Sequence, residues 1–259
     1  MTKFDLFYWT TLTGILAALA TGLGAIPVHF LNNNSKVIRS FCCAIAGGMM
    51  TSASVFSLVQ QGIALRTTSP SAPYIVIFGL LLGAAFFRYS EKNFSNPDFH
   101  QHYLRYGFSK KSLLIFITMF IHSIPEGIAI GVAFATGNFQ FGLIMAIAIA
   151  VHNIPEGMAV SLPLKLEGVS TGRCAVISIL TSLPQPIMAL PSALLAWFFK
   201  PLLPIGLGFA GGAMIYVVIS ELLPEALEDG GKSLTAWGFM LGLSGMLLIT
   251  TLLNLISVN

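Results

Sequence analysis

Charge is what this chain is short of. Only 13 of its 259 residues are Lys or Arg and 10 are Asp or Glu, 9% together against 55% hydrophobic. A soluble domain carries about 25% charged residues. So few charges cannot coat a surface against water, and a mean hydropathy of +0.83 makes lipid the expected solvent. No basic cluster is present, which sets aside nucleic-acid binding. Cysteine is scarce as well. Cys42, Cys43 and Cys174 are odd in number, two are adjacent, and no CxxC occurs, which excludes a disulfide framework and suggests no thiolate metal site. They read as small apolar packing residues. A GxxxxGK[ST] loop is also missing, which argues against an ATP-driven pump in one chain.

What the chain has is apolar length. Eight segments, 6–30, 37–61, 73–90, 112–136, 139–163, 172–199, 202–225 and 234–257, each suit a membrane span of about 20 residues. The first exceeds the apolar region of a signal peptide, so it is expected to be a span and not a cleaved leader. One long polar loop covers 91–111, and nothing remains for a soluble domain: residues 1–259 are expected to form a single polytopic membrane domain. Ten Lys and Arg fall on one side of the alternating segments, and only Lys3, Arg66 and Lys200 on the other. That bias predicts both termini outside the cytoplasm and loop 91–111 inside it.

The sequence also repeats. Ala46-Gly-Gly-Met-Met50 in the second segment recurs as Ala210-Gly-Gly-Ala-Met214 in the seventh, 164 positions on, so that Met50 matches Met214 and Ser57 matches Glu221. His122-Ser-Ile-Pro-Glu-Gly127 in the fourth recurs as His152-Asn-Ile-Pro-Glu-Gly157 in the fifth. Both pairs join antiparallel segments. One pseudo-two-fold axis in the membrane plane accounts for them, predicting an all-α integral membrane fold of eight transmembrane helices in a 3+2+3 inverted-repeat arrangement, a transporter signature.

The HxIPEG motif carries the chemistry. His and Glu at i and i+4 share a helix face and can grip one divalent cation between an imidazole nitrogen and a carboxylate. The intervening Pro125 or Pro155 cannot donate to the carbonyl four residues back, Ile121 or Val151, and a free carbonyl at membrane depth is usable by an ion. His122 and His152 lie equally far from the turn at Gly137-Asn138. Straight helices would stagger Glu126 and Glu156 by about 12 Å along the membrane normal, so bending or tilt has to close that gap. Ionisable groups at this depth cost several kcal/mol and point to function. The alternatives are a proton relay without metal and polar residues that only glue helices together. Imidazole with carboxylate suits zinc, iron, manganese or cobalt better than copper(I).

The stretches HSIPEGIAIGVAFA, HNIPEGMAVSLPL and AGGAMIYVVISELLPEA resemble the fourth, fifth and seventh spans of the ZIP metal transporters, most of all their prokaryotic GufA-type branch. The resemblance implies ATP-independent entry of zinc or a related divalent cation, iron, manganese, cobalt or cadmium, as transported substrate, with no organic cofactor. It implies a mobile bundle of spans one, four, five and six against a scaffold of two, three, seven and eight. Its primary metal site maps to His122, Glu126, His152 and Glu156, with Met50 alongside. An adjacent second site maps to Ser123, Asn153 and Gln185; Asn153 fits that pattern, whereas Ser123 and Gln185 depart from it and leave the site weak or altered. Glu221 is a candidate exit ligand. His29 is expected to pack at the interface, and His100 and His102 are all that remains of the family's histidine-rich loop.

The expected setting is the lipid bilayer of a bacterial cell membrane, where a homodimer is compatible with the sequence. The reading from another class is a membrane-embedded zinc metallohydrolase using the same ligands to activate water. Against it, the chain has no HExxH and no separate general base.

Overall fold

The computed structural model describes residues 2–30, 35–65, 70–94 and 110–258. Every regular element among them is helical. Helix α1 (Lys3–Leu23) opens with a reciprocal cap: the Thr2 hydroxyl accepts from the Asp5 amide and the Asp5 carboxylate accepts from the Thr2 amide, satisfying donors that a helix start leaves orphaned. A short turn, Ala25–Val28, continues it. Helix α2 runs from Ser35 to Ser52, then through a π-helical stretch Ala53–Val59 and a last turn Gln60–Ala64. Helix α3 spans Ala72–Phe94 and α4 Lys110–Ala135. Gly137, with φ of +86°, turns the chain into α5 (Phe139–Leu166), which Asn138 caps by accepting from the Phe141 amide. Helix α6 is bent, Thr171–Thr181 then Pro184–Phe198. Helix α7 (Leu202–Val217) passes through a second π-helical stretch, Val218–Leu222, into α8 (Leu223–Val258).

Among the described residues, seven helical stretches are long and apolar enough to cross a membrane: Lys3–Val28, Lys36–Ala64, Ala72–Ser90, Phe116–Ala135, Phe139–Leu166, Thr171–Phe198 and Leu202–Ile256. Their outer surface is apolar; on α3 alone Tyr74, Ile77, Phe78 and Leu81 are all more than half exposed, a face suited to lipid. The chain is an integral membrane protein by this architecture. The segments expected at 202–225 and 234–257 both lie within the last of these seven, a 55-residue stretch. A straight helix of that length would be about 82 Å long, far more than a hydrocarbon core of about 30 Å. The stretch breaks at Gly231, whose φ of +73° and ψ of 174° are not helical; glycine takes this conformation without the steric cost a Cβ would bring.

Packing sorts the helices into two sets. In the first, α1 lies along α5, where Gly157 meets the Thr21 carbonyl, and α4 lies along α6, where Gly127 meets the Gln185 backbone and Gly131 that of Ala189. In the second, α3 lies along α7, with Gly83 against the Phe209 carbonyl and Gly212 against that of Leu80. Helix α2 lies along the part of α8 beyond Gly231, with Gly48 against the Phe239 carbonyl and Gly242 against that of Ile45. Compared like with like, residue numbers rise together in each pair (Ala17 and Thr21 meet Asn153 and Gly157, Gly127 and Gly131 meet Gln185 and Ala189, Gly79 and Gly83 meet Ile205 and Phe209, Gly238 and Gly242 meet Phe41 and Ile45), so partners run parallel. Helices in lipid gain little from burying apolar area and hold together by such backbone-to-backbone approach. The approaches recur at one interval. A Cβ on Gly47 would touch Val218 and Leu222, and one on Gly211 would touch Ser54 and Leu58; each residue in one contact lies 164 positions from its counterpart in the other. The two π-helical stretches carry Ser57 and Glu221, which differ by the same 164.

Candidate metal centre

Helices α4 and α5 carry the repeated motif and continue unbroken through Pro125 and Pro155. His152 and Glu156, one turn apart on α5, face Glu126 of α4. His152 Nε2 lies 3.1 Å from Glu126 Oε1, and one ligand atom each from Glu126, His152 and Glu156 all fall within 4.8 Å of one another. The stagger expected of straight helices is therefore closed. Glu126 and His152 have no exposed surface and Glu156 only 4%. Among the described residues, His152 Nδ1 and Glu156 Oε1 have no hydrogen-bond partner. Unsatisfied buried polar atoms cost roughly 1–3 kcal/mol each, and an imidazole and two carboxylates gathered this closely are suited to a cation.

His122 shares the α4 face but not this group. Its Nε2 sits 3.2 Å from Glu221 Oε2, close enough for an ion pair yet not aligned as a hydrogen bond, since both ring nitrogens lack a partner. Phe87 covers the ring, with centroids 5.2 Å apart. Glu221 stands in the π-helical stretch with 21% of its side chain exposed. The structure thus gives two adjacent donor sets where the sequence suggested one ring of four ligands. Met50 is fully buried on α2.

The residues mapped to a second site do something else. Asn153 Nδ2 donates to the Ala17 carbonyl of α1 at 2.8 Å and to Gln185 Oε1 at 3.1 Å, and Gln185 Nε2 donates to Glu126 Oε2 at 2.6 Å. All three side chains are fully buried. Ser123 gives its hydroxyl hydrogen to Met119 one turn back in its own helix. The Ala17 carbonyl is a participant no side-chain motif could reveal.

Elsewhere, His29 Nδ1 lies 3.1 Å from the Thr171 hydroxyl and its ring meets Phe30 edge-on. His100 and His102 lie outside the described residues. All three cysteines are free and buried, and Cys43 Sγ approaches Glu225 Oε2 at 3.6 Å. Arg39 pairs with that same Glu225 and, at 3.3 Å, with Asp229, fastening one end of α2 to α8. The spacing of Glu221, Glu225 and Asp229, one turn apart in sequence, was the available signal for an acidic line on this helix.

A polytopic helical membrane protein with buried imidazole and carboxylate converging at mid-helix is, as a class, a candidate metal carrier. Comparison with known proteins makes the class specific. The ZIP zinc transporter family model matches residues 88–250, and the chain belongs to the ZIP family. It is 37% identical over 243 residues to a zinc transporter, GufA, of Myxococcus xanthus, covering 88% of this chain and 94% of that one. It is 33% identical to the zinc transporter ZIPB of Bordetella bronchiseptica, over 95% of this chain and 82% of the relative. With the human zinc transporter ZIP11 it shares 41% identity over 139 residues, 51% of this chain and 41% of the relative.

Proposed function

We propose that this chain transports divalent metal ions, zinc foremost, across a bacterial cell membrane into the cytoplasm. The observation that carries the reading is the buried convergence of Glu126, His152 and Glu156 within 4.8 Å in a chain whose relatives are named as zinc transporters. The cargo ion is held first by these three and passes to His122 and Glu221, which stand as a pair 3.2 Å apart. Met50 lends a thioether beside the path, and Ser123, Asn153 and Gln185 flank it. Imidazole and carboxylate donors suit zinc, and they also accept iron, manganese or cobalt.

The same reading takes the break at Gly231 as the turn between a seventh and an eighth span, within a single membrane domain. It takes the packing of Gly47 and Gly211 as the mark of a 3+2+3 inverted repeat. A pseudo-two-fold axis exchanges the contact partners of one for those of the other, which supports an ion path open alternately to either side. Helices α1, α4, α5 and α6 then move as a bundle against the rest. Both termini face outward, in keeping with the Lys and Arg bias.

Radiometal uptake into proteoliposomes of purified protein tests the function. Saturable zinc uptake without ATP is expected; zinc retained without uptake, together with hydrolase activity, sinks it in favour of a metalloenzyme. Orientation is tested by single cysteines in a background whose own three are buried. Gly172→Cys should react with an impermeant thiol reagent only after cells are opened, and Phe199→Cys in intact cells. The reverse pattern inverts the topology.

A further inference from the structure

We propose that Gln185 sets metal selectivity by holding one carboxylate oxygen of Glu126, so that a cation meets this carboxylate through the other, Oε1, in place of its hydrogen bond with His152. The inference rests on the transport reading above and concerns how the site chooses among divalent ions.

The polarity of the amide chain is fixed from its far end. A backbone carbonyl can only accept, so the Ala17 oxygen requires the NH₂ side of Asn153, which donates to it at 2.8 Å. The second hydrogen of that NH₂ goes to Gln185 Oε1 at 3.1 Å. Gln185 must therefore turn its own NH₂ toward Glu126, and Nε2 donates to Oε2 at 2.6 Å. Rotating the Gln185 amide by half a turn would set NH₂ against NH₂ at Asn153 and oxygen against carboxylate oxygen at Glu126. All three side chains are fully buried, which shields these hydrogen bonds from bulk solvent. A backbone atom on α1 thus determines which face of a side chain on α6 meets the carboxylate on α4.

The consequence falls on coordination. With Oε2 held by the amide, Glu126 offers a cation Oε1, the atom beside His152 Nε2. A carboxylate confined to one oxygen, with an imidazole and a second carboxylate, suits the four-coordinate tetrahedral preference of zinc. Manganese prefers six oxygen-rich ligands and gains from a carboxylate free to bind through both oxygens. Gln185 is a positioning residue: it acts on the ion through Glu126. Because its amide is neutral, Gln185 also adds no negative charge beside Glu126, and two divalent cations held there would repel each other.

The experiment compares zinc and manganese uptake by the full-length protein in proteoliposomes, read as the ratio of kcat/KM for the two metals, with bound zinc counted by elemental analysis. Gln185→Leu keeps the volume and removes the donor. It should shrink the zinc-to-manganese ratio about tenfold, the order found when a group supporting a metal ligand is lost; a residue of merely structural importance would lower both metals together and leave the ratio alone. Gln185→Glu should raise bound zinc from one ion per chain to two. An unchanged ratio in folded Gln185→Leu overturns the inference while wild-type uptake keeps the transport reading standing. Should Gln185→Leu not fold, the count in Gln185→Glu decides, and a single ion there overturns it. A wild type that takes up neither metal overturns both.

Discussion

The two helix sets use the same packing device for different chemistry. Helices α1, α4, α5 and α6 and helices α2, α3, α7 and α8 both bring backbones together at glycine. Among the described residues, however, the fully buried imidazoles, carboxylates and amides (His122, Glu126, His152, Asn153, Glu156 and Gln185) all belong to the first set. The second set buries hydroxyls, gathers Arg39, Glu225 and Asp229 at one end, and meets the chemistry of the first through Glu221, which faces His122. Small residues make helix association possible in lipid, but they carry no chemistry. Intramembrane ionisable groups cost free energy and persist where a function uses them. One set is therefore built around a buried polar network, and the other is a frame whose own ion-pair cluster, Arg39 with Glu225 and Asp229, sits at an end.

The comparison breaks most visibly at the carboxylates. Glu126→Ala or Glu156→Ala should lower zinc uptake by about a hundredfold or more at matched membrane expression, beyond the range expected for loss of a supporting group, with helix content by circular dichroism unchanged. Uptake near wild type in both variants would remove the metal centre from the reading. Next in size is the frame. Gly48→Leu drives a side chain into the Phe239 backbone and should destabilise the protein by about 3 kcal/mol through overpacking, seen as an earlier thermal transition in detergent. The surviving folded fraction should keep its KM for zinc; a changed KM would mean that frame and site are not separable in this way.

Arg39→Gln comes third. Removing one partner of a buried ion pair costs about 3–5 kcal/mol, but Glu225 is 30% exposed and solvent screening reduces the effect, so a loss of about 2 kcal/mol is expected. The triple variant with Glu225→Gln and Asp229→Asn should recover most of it in chemical unfolding, and failure to recover would show that the cluster is not held by charge. The smallest effect belongs to the hydroxyl pair Thr21 and Ser182, 2.7 Å apart between α1 and α6. Thr21→Val should cost about 0.6 kcal/mol, the average for such bonds between membrane helices. A loss several times larger would make that bond part of the network and not an accessory to it.

Much of the fold was legible because lipid imposes simple demands. Length and apolarity located the membrane-crossing helices, and the turn at Gly137 is where the residues between the two motifs place it. The break at Gly231 falls between the last two expected segments, where Glu228, Asp229, Gly230 and Gly231 interrupt the apolar run, although which of the two glycines takes the non-helical φ is not written in the sequence. At the site, the repeated His and Glu marked the right residues but not their grouping. His122 pairs with Glu221, 99 positions away in the chain, and only packing of α4 against α7 brings them together.

The sequence by itself determined the solvent, the helices and the kind of ligand chemistry, because composition and a period of 3.6 residues are local properties. Only the tertiary structure decided that Glu126 and Glu156 meet, since two carboxylates on antiparallel helices converge or miss according to tilt and packing. It alone decided, too, that Gln185 faces Glu126. That orientation depends on a backbone carbonyl at Ala17, 168 residues away, and every residue has such a carbonyl, so no side-chain pattern can point to the one that matters.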